Sequence, residues 1–251
     1  MNISIKRVIA LSILLFNSQL FSQKTAVFIL GAPRSGTSAT TGCLKLMGLE
    51  LGQNLSKPQS WNPKGDFEDQ DTIDINRQVL GILGLSPYGT FLYDFAVRDD
   101  KYNAAKAIVK QHLSQHFAPY SRFGIKHPKM CLLLPLYIES AQELGYNVLI
   151  VKVRRNPLDI ITSLNKTVKQ SGNILDIERG LAYVNTFTST MDIFSAGYPT
   201  VEVQFNDLIN NTERVLNTLA AFIPGIGRYQ DARDQVEVFL NKKPANIKPS
   251  N

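Results

Sequence analysis

The residues with the clearest chemical pattern run from Gly31 to Ser38 and read Gly-Ala-Pro-Arg-Ser-Gly-Thr-Ser. An apolar, strand-like run precedes them, and a helix-like segment follows. Glycines with GxxxxG spacing let backbone N–H groups point at a phosphate, and the N-terminus of the following helix adds partial positive charge. This pattern predicts a phosphate-binding loop in which Thr37 and Ser38 add hydroxyl donors. The alternative is a tight turn whose glycines are incidental.

The loop lacks the lysine that a P-loop for nucleoside triphosphates carries after its second glycine, because Thr37 stands there. In such loops that lysine reaches the β- and γ-phosphates, and the adjacent Ser or Thr holds Mg²⁺. The one cation between Gly31 and Ser38 is Arg34. Its place two residues before Gly36 predicts a contact with a single phosphate group rather than with a triphosphate chain.

Short, continuous apolar runs alternate along the chain with longer segments of helical periodicity. The predicted strands are Thr25–Leu30, Phe123–Lys126, Asn147–Val153 and Thr200–Gln204. The predicted helices are Gly36–Met47, Thr72–Leu83, Asn103–Phe117, Cys131–Glu143, Pro157–Lys169, Asp176–Ser195 and Leu208–Phe222. Continuous apolar strands are typical of a parallel sheet buried on both faces, and their alternation with helices is typical of βαβ units. The sequence therefore predicts an α/β fold with three layers, αβα, around a central, mainly parallel sheet like that of the P-loop NTPases.

Ligands of such sheets bind in the crevice beyond the carboxyl ends of the strands. Three polar segments follow predicted strand ends: Gly31–Ser38, Lys126–Lys129 and Arg154–Ser163. We expect these segments to converge on one crevice, with Lys126 as a second cation. The segment Gly48–Asp71 is rich in Gly, Pro, Asn and Lys and is predicted to be a long functional loop.

The composition fits a single domain over residues 23–251. A net charge of +6 indicates an anionic ligand or surface, whereas the scattered lysines and arginines argue against nucleic-acid binding. Cys43 and Cys131 lie in apolar contexts and are expected to be buried free thiols. His112 and His116 have i,i+4 spacing, but no HExxH motif accompanies them, so a solvated helix face is expected rather than a zinc site.

Residues 1–22 have the layout of a secretory signal: Lys6 and Arg7, an apolar run over Val8–Phe16, and Ser22 at a cleavage point. This run is too short to span a bilayer. The alternative is an uncleaved N-terminal extension that packs on the domain.

The loop GAPRSGTS resembles the 5′-phosphosulfate-binding loop of sulfotransferases that use 3′-phosphoadenosine 5′-phosphosulfate (PAPS), and its arginine is usual in the bacterial and carbohydrate-type branches. The family's second motif is an arginine at a strand end with a serine eight positions later, and Arg155 and Ser163 in VRRNPLDIITS are similar to it. The segments Asn62–Leu80 and Gly124–Tyr137 also resemble the bacterial branch, through its Asn-x-x-Gly-x-Phe-Glu and Lys-Asp-Pro-Arg motifs, with His127 and Lys129 as departures. The resemblance covers residues 25–222.

The resemblance implies transfer of a sulfuryl group from PAPS to an acceptor hydroxyl of a glycan or another hydroxylated metabolite, with release of adenosine 3′,5′-bisphosphate and without a required metal. Arg34 and Lys126 would then stabilise the leaving phosphate and the sulfuryl oxygens. Glu68 would be the general base, and His127 is the rival, because some family members use a histidine shortly after a lysine. The alternative for Glu68 is a structural role as the N-terminal charge of the following helix. Nucleotide binding is assigned to Gly31, Pro33, Arg34, Ser35, Gly36, Thr37, Ser38, Arg155 and Ser163.

Two other functions fit the same scaffold. A nucleoside or sugar kinase would need a lysine after the second glycine and an acidic Mg²⁺ ligand at a strand end, and neither is visible in the sequence. A non-catalytic nucleotide- or glycan-binding protein would keep Arg155 and Ser163 but tolerate the loss of Glu68 and Lys126, which this chain retains.

Partners and location follow from these assignments. The expected partner is a small-molecule or glycan acceptor, contacted by loops that carry Trp61, Tyr88, Phe91 and Tyr93. Lys242 and Lys243 are candidates to close over the 3′-phosphate, and a solvated tail is the alternative. Because PAPS is made inside cells, we expect a cytoplasmic protein with peripheral membrane association through its N-terminus, and the secretory pathway is the alternative.

Overall fold

A computed structural model describes residues 24–59, 62–85, 93–168 and 174–241. The signal-like segment over residues 1–22 lies outside these ranges, as do Trp61, Tyr88, Phe91, Lys242 and Lys243. None of the helices in the described ranges is long and apolar enough to cross a membrane.

Four strands form one sheet in the order β2-β1-β3-β4, and all three neighbouring pairs are parallel. The strands are β1 (Thr25–Leu30), β2 (Arg122–Lys126), β3 (Asn147–Arg154) and β4 (Thr200–Gln204). Each lies where an apolar run predicted it. β2 begins one residue before its prediction, and β3 ends one residue after it.

Nine helices surround this sheet in the described part of the chain. They are α1 (Thr37–Leu46), α2 (Gln70–Ile82), α3 (Asp100–His116), α4 (Met130–Glu143), α5 (Pro157–Val168), α6 (Ile177–Phe194), α7 (Phe205–Asn210), α8 (Thr212–Phe222) and α9 (Tyr229–Phe239).

The two faces of the sheet are covered by two separate cores. Successive side chains of a strand point to opposite faces, so Phe28 packs with residues of α2–α6 while Ile29 packs with residues of α1 and α7–α9. All six residues of β1 are buried. The predicted three-layer αβα fold with a parallel central sheet is therefore confirmed.

The predicted helix over Leu208–Phe222 is two helices, α7 and α8. Asn211 lies between them with φ −130° and ψ 45°, outside helical geometry, and it ends α7. α9 was not predicted at all. Its buried residues Tyr229, Ala232 and Val236 follow helical spacing and pack in the core that contains α1 and α8.

The prediction of a solvated face for the two histidines of α3 is wrong for His112. His112 is only 2% exposed because α3 packs against α2, where its Nε2 lies 2.9 Å from Thr72 Oγ1. This burial lowers the pKa of His112 to about 4. Cys43 and Cys131 are buried free thiols, as predicted.

Candidate active site

The loop between β1 and α1 has the backbone geometry of a tight anion-binding turn. Arg34 and Gly36 both have positive φ, 71° and 103°. A Cβ on Gly36 would lie 2.1 Å from the ring of Phe205, and a Cβ on Gly31 would lie 2.7 Å from the carbonyl oxygen of Val153. Side chains do not fit at either position, so both glycines are needed for the loop to lie this close to β3 and α7.

The N-terminus of α1 opens into this loop. Gly36 is its N-cap residue, and no side chain caps the first turn. The first N–H groups of a helix lack intrahelical acceptors and carry partial positive charge, so they bind anions. Ser35 is 1% exposed and its Oγ has no hydrogen-bond partner within the described ranges. The first turn of α1 thus has backbone donors that no side-chain cap satisfies, next to a buried hydroxyl without a partner among the described residues.

Three residues predicted to bind the nucleotide meet at this loop. Arg34 Nε donates a hydrogen bond to Ser163 Oγ at 3.0 Å, and Arg155 Nη1 donates to the carbonyl oxygen of Arg34 at 3.2 Å. The guanidinium of Arg155 also lies over the ring of Phe205, 4.8 Å from its centroid. Two permanent cations from segments more than 100 residues apart are therefore held together by the loop backbone and a serine.

A structural ion pair with Asp159, four residues further along the chain, is the alternative role for Arg155. That pair exists, with 3.8 Å between Arg155 Nε and Asp159 Oδ2, but the Asp159 side chain is 51% exposed. The Nε of Arg155 is buried and makes no hydrogen bond to any described residue. A long, half-exposed pair stabilises little, so the pair with Asp159 does not by itself account for the position of Arg155 beside the loop.

A cavity of about 240 Å³ lies over these groups. Its lining combines the loop, the start of α1 and the two arginines: Arg34, Gly36, Thr37, Ser38, Ala39, Asn62, Arg155, Ser163 and Phe205. The sequence did not single out Phe205. Its position directly after β4, at the carboxyl edge of the sheet, was a usable signal.

A second recess of about 230 Å³ adjoins this cavity and shares four lining residues with it, Ser38, Ala39, Asn62 and Phe205. Its other walls are mostly apolar and come from the loop before α2 and from α7 and α9: Lys64, Gly65, Phe67, Ile209, Phe239 and Leu240. Phe67 and Phe239 pack edge to face with centroids 5.6 Å apart. The sequence could not indicate this recess, because it depends on the unpredicted helix α9.

The segment that carries Glu68 is fixed to the domain by its backbone. Within the predicted long loop, the N–H of Gly124 in β2 donates to the carbonyl oxygen of Glu50 at 2.7 Å, and the N–H of Ser56 donates to that of Glu68 at 2.7 Å. Asp69 then caps α2 by accepting from Thr72 N at 2.9 Å. The backbone of Glu68 is therefore held between a hydrogen bond from Ser56 and the N-cap residue of α2.

Glu68 and Lys126 form a buried ion pair with 2.6 Å between Oε1 and Nζ. Their side chains are 14% and 4% exposed. Burial raises the pKa of Glu68 above its ordinary value, although the nearby Lys126 ammonium opposes this. A carboxylate with a raised pKa is a stronger base than an exposed glutamate.

His127 lies on the other side of the same carboxylate. Its Nε2 is 4.0 Å from Glu68 Oε2, and its Nδ1 is 2.9 Å from Asn76 Nδ2. Burial, together with the neighbouring cations Lys126, Lys129 and Arg77, lowers the pKa of His127 to about 3. His127 is thus neutral near pH 7.

The arginine group and the glutamate group lie at the same edge of the sheet. Ile29 in β1 is in register with Lys126, the last residue of β2. Gly31 directly follows β1 and so lies at the same edge of the sheet as Lys126. Neighbouring strands are about 4.8 Å apart. The thiol of Cys131, at the start of α4, also contacts the carbonyl oxygen of Gly31 at 3.7 Å. The register of the parallel strands thus places the three polar segments at the same edge of the sheet.

No protein-family model matches the sequence, and comparison with curated proteins gives no match. The chain is similar to sulfotransferase STF9 from Mycobacterium avium, with a TM-score of 0.49 and 13% identity over 90% of this chain and 69% of that one. For a sulfotransferase from Alicyclobacillus acidocaldarius the TM-score is 0.44 and the identity 13%, over 87% of this chain and 92% of that one. For the sulfotransferase domain of the Synechococcus PCC 7002 olefin synthase the TM-score is 0.44 and the identity 17%, over 84% of this chain and 77% of that one. Each of these is a sulfotransferase, the family that the motifs of this sequence resemble. The likeness is distant.

Proposed function

We propose that this protein is a sulfotransferase that moves a sulfuryl group from PAPS to an acceptor hydroxyl of a glycan or another hydroxylated metabolite. The observation that carries the proposal is the pairing of Arg34 with Ser163 and Arg155 at a phosphate loop whose second glycine is followed by Thr37. These cations suit two separate anionic groups, one on each side of a ribose, better than a metal-bound triphosphate.

The two adjoining cavities support a nucleotide donor. The first has cations and backbone donors, as a 5′-phosphosulfate and a 3′-phosphate require. The second is walled by Phe67, Phe205 and Phe239 and accommodates a planar base by stacking and apolar contact. Because the cavities share Ser38 and Asn62, a single ligand spans both.

The chemistry is an in-line displacement at sulfur. The acceptor oxygen forms a bond to sulfur, the bond from sulfur to the bridging oxygen of the 5′-phosphate breaks, and its electron pair stays on the released adenosine 3′,5′-bisphosphate. Arg34, Lys126 and the N-terminus of α1 stabilise the charge that builds on the sulfuryl and phosphate oxygens. Glu68 takes the acceptor proton.

Glu68 is a better candidate for the base than His127. The raised pKa of Glu68 favours proton uptake, whereas His127 has a pKa of about 3. In addition, the Nδ1 of His127 is occupied by the amide of Asn76. Lys126 balances the carboxylate charge before transfer, and its ammonium then contacts a sulfuryl oxygen as Glu68 becomes neutral.

Transfer of ³⁵S from labelled PAPS tests this function. Wild-type protein, Glu68→Gln and Glu50→Gln are assayed with p-nitrophenol and a panel of p-nitrophenyl glycosides as acceptors. Glu50 belongs to the same loop but is exposed to solvent. The Glu50→Gln protein is therefore the matched control and should transfer sulfate at the wild-type rate. Glu68→Gln should lower turnover about 10²-fold or more while nucleotide affinity stays unchanged.

Two outcomes would contradict the proposal. Phosphoryl transfer from ATP with Mg²⁺, without sulfuryl transfer from PAPS, would make the protein a kinase. Tight binding of adenosine 3′,5′-bisphosphate with no transfer to any acceptor, and with Glu68→Gln indistinguishable from wild type, would make it a binding protein.

A further inference from the structure

Behind the glutamate, three buried side chains form a directed hydrogen-bond chain. Tyr137 Oη donates to Asn76 Oδ1 at 2.8 Å, and Asn76 Nδ2 lies 2.9 Å from His127 Nδ1. Tyr137 and Asn76 are both 0% exposed. They come from α4 and α2, while His127 directly follows β2. Three elements of the fold thus converge on one imidazole ring.

This chain selects one tautomer of His127. Burial raises the pKa of Tyr137 far above its ordinary value, so its hydroxyl keeps a proton to donate. Because the Tyr137 hydroxyl donates its hydrogen bond to Asn76 Oδ1, the amide N–H of Asn76 is the group that faces His127 Nδ1. Nδ1 must then accept a hydrogen bond from that N–H through its lone pair. A neutral ring with its lone pair on Nδ1 carries its proton on Nε2. The Nε2–H is the group that faces Glu68.

His127 and Glu68 are spaced so that a single oxygen atom can form hydrogen bonds with both. His127 Nε2 and Glu68 Oε2 are 4.0 Å apart, too far for a direct hydrogen bond. An oxygen about 2.7 Å from Oε2 and about 2.9 Å from Nε2 closes this gap with an angle of about 90° at the oxygen. The other carboxylate oxygen, Oε1, is taken by Lys126. Oε2 is therefore the oxygen that a hydroxyl meets.

We propose that His127 is a hydrogen-bond donor to the acceptor oxygen: its Nε2–H binds a lone pair of the hydroxyl while Glu68 Oε2 receives the hydroxyl proton, and Asn76 and Tyr137 are positioning residues that hold this tautomer. The inference rests on the proposed function and specifies its acceptor site. It changes the role of His127 from a rival base to a group that orients the nucleophile.

The step balances in protons and electrons. The hydroxyl proton moves to Glu68 Oε2, the oxygen pair freed by its loss forms the bond to sulfur, and the bridging S–O pair leaves with the 5′-phosphate. His127 keeps its Nε2 proton throughout, so it needs no second proton. The hydrogen bond to the acceptor oxygen strengthens while that oxygen carries partial negative charge.

The charges around His127 keep it in this role near pH 7. Glu68 faces it from the loop before α2, Lys126 from β2, Arg77 from α2 and Lys129 from the turn before α4. Three of these four groups are cations, which oppose a second proton on the ring. A histidine that stays neutral cannot add an ionisation of its own to the pH–rate profile near neutrality.

Ring nitrogen spectroscopy tests the tautomer without any assay of activity. The chain has three histidines, so long-range ¹H–¹⁵N spectra of the full protein contain three ring patterns, and His127→Gln identifies one by its loss. We expect the Nε2–H pattern for His127 at pH 7.5. In Asn76→Asp a carboxylate accepts from the ring, so the pattern of His127 should change to Nδ1–H or to the doubly protonated form.

Turnover tests the donor role. The glutamine amide of His127→Gln can place an N–H near the position of Nε2 and should keep kcat/KM within about 10-fold of wild type. His127→Ala removes the donor and should lose about 10- to 100-fold, the range for a hydrogen bond to a charged group. Asn76→Asp should lower turnover and add an ionisation to the pH–rate profile. Unchanged affinity for adenosine 3′,5′-bisphosphate shows that each variant is folded.

The possible failures are distinguishable. A wild-type protein that transfers sulfate but shows the Nδ1–H tautomer refutes this inference alone, and so does a His127→Ala variant with wild-type kcat/KM. A His127→Gln variant as impaired as His127→Ala also refutes it. A wild-type protein with no transfer from PAPS refutes the proposed function and this inference together.

Discussion

Replacing Gly36 with alanine should destabilise the protein far more than the same change at Gly48. Both glycines have positive φ, 103° and 90°, so both alanine variants carry the strain of a Cβ in the left-handed region. At Gly48 no atom lies within 4 Å of an added Cβ. At Gly36 the Cβ would lie 2.1, 2.8 and 2.9 Å from three ring atoms of Phe205. Gly48→Ala therefore measures strain alone, and Gly36→Ala measures strain plus a clash.

The expected magnitudes follow from these two contributions. An alanine at positive φ costs about 1–3 kcal/mol, and forcing a methyl group against a packed ring costs about 1–3 kcal/mol more. For a chain of this size each kcal/mol lowers Tm by about 2–4 °C. We expect Tm to fall by about 5 °C in Gly48→Ala and by about 10 °C in Gly36→Ala.

A double-mutant cycle with Phe205→Ala isolates the clash. In the Phe205→Ala background, the cost of Gly36→Ala should fall to that of Gly48→Ala, because the ring is gone. The assay is urea unfolding of the four proteins of the cycle together with Gly48→Ala. Equal free energies of unfolding for Gly36→Ala and Gly48→Ala in the wild-type background would refute the packing of the phosphate loop against Phe205.

Further predictions concern the charged groups. Arg155→Ala should weaken binding of adenosine 3′,5′-bisphosphate about 10- to 100-fold in calorimetric titrations. The matched control, Arg154→Ala, should not, because Arg154 pairs with Asp192 and Glu202; equal losses would contradict the assignment. The lowered pKa of His127, about 3, means that the unfolded state takes up its proton first as the pH falls. Its stabilising contribution is present above pH 6.5 and lost towards pH 3. Between pH 7.5 and 5.5 His127→Gln should lose about 1 kcal/mol less free energy of unfolding than wild type, and identical losses in urea unfolding would count against a buried neutral His127.

The sequence predicted the sheet and the position of the loop between β1 and α1 because both depend on local patterns. Continuous apolar runs identify buried parallel strands, and the carboxyl ends of such strands meet at one edge. That geometry predicts Arg34, Lys126 and Arg155 at the same edge of the sheet, where β1, β2 and β3 end.

The remaining features depend on tertiary contacts that no local pattern carries. The helical periodicity of α3 is compatible with a solvated or a covered face, and its packing on α2 decides that His112 is buried. Asn76 and Tyr137 are 51 and 10 residues from His127 along the chain and are not among the residues that define its motif, yet they form the hydrogen-bond chain to its Nδ1. The second recess is walled in part by Phe239 of α9, a helix that the sequence did not predict.

The most direct test of the central claim is the thermal stability of the wild-type protein with adenosine 3′,5′-bisphosphate compared with ATP plus Mg²⁺. A ligand at 100 times its Kd stabilises the folded state by about 2.7 kcal/mol, which raises Tm by about 5–10 °C for a chain of this size. The account predicts that shift with the bisphosphate and none with ATP and Mg²⁺. Stabilisation by ATP with Mg²⁺ and not by the bisphosphate would contradict it.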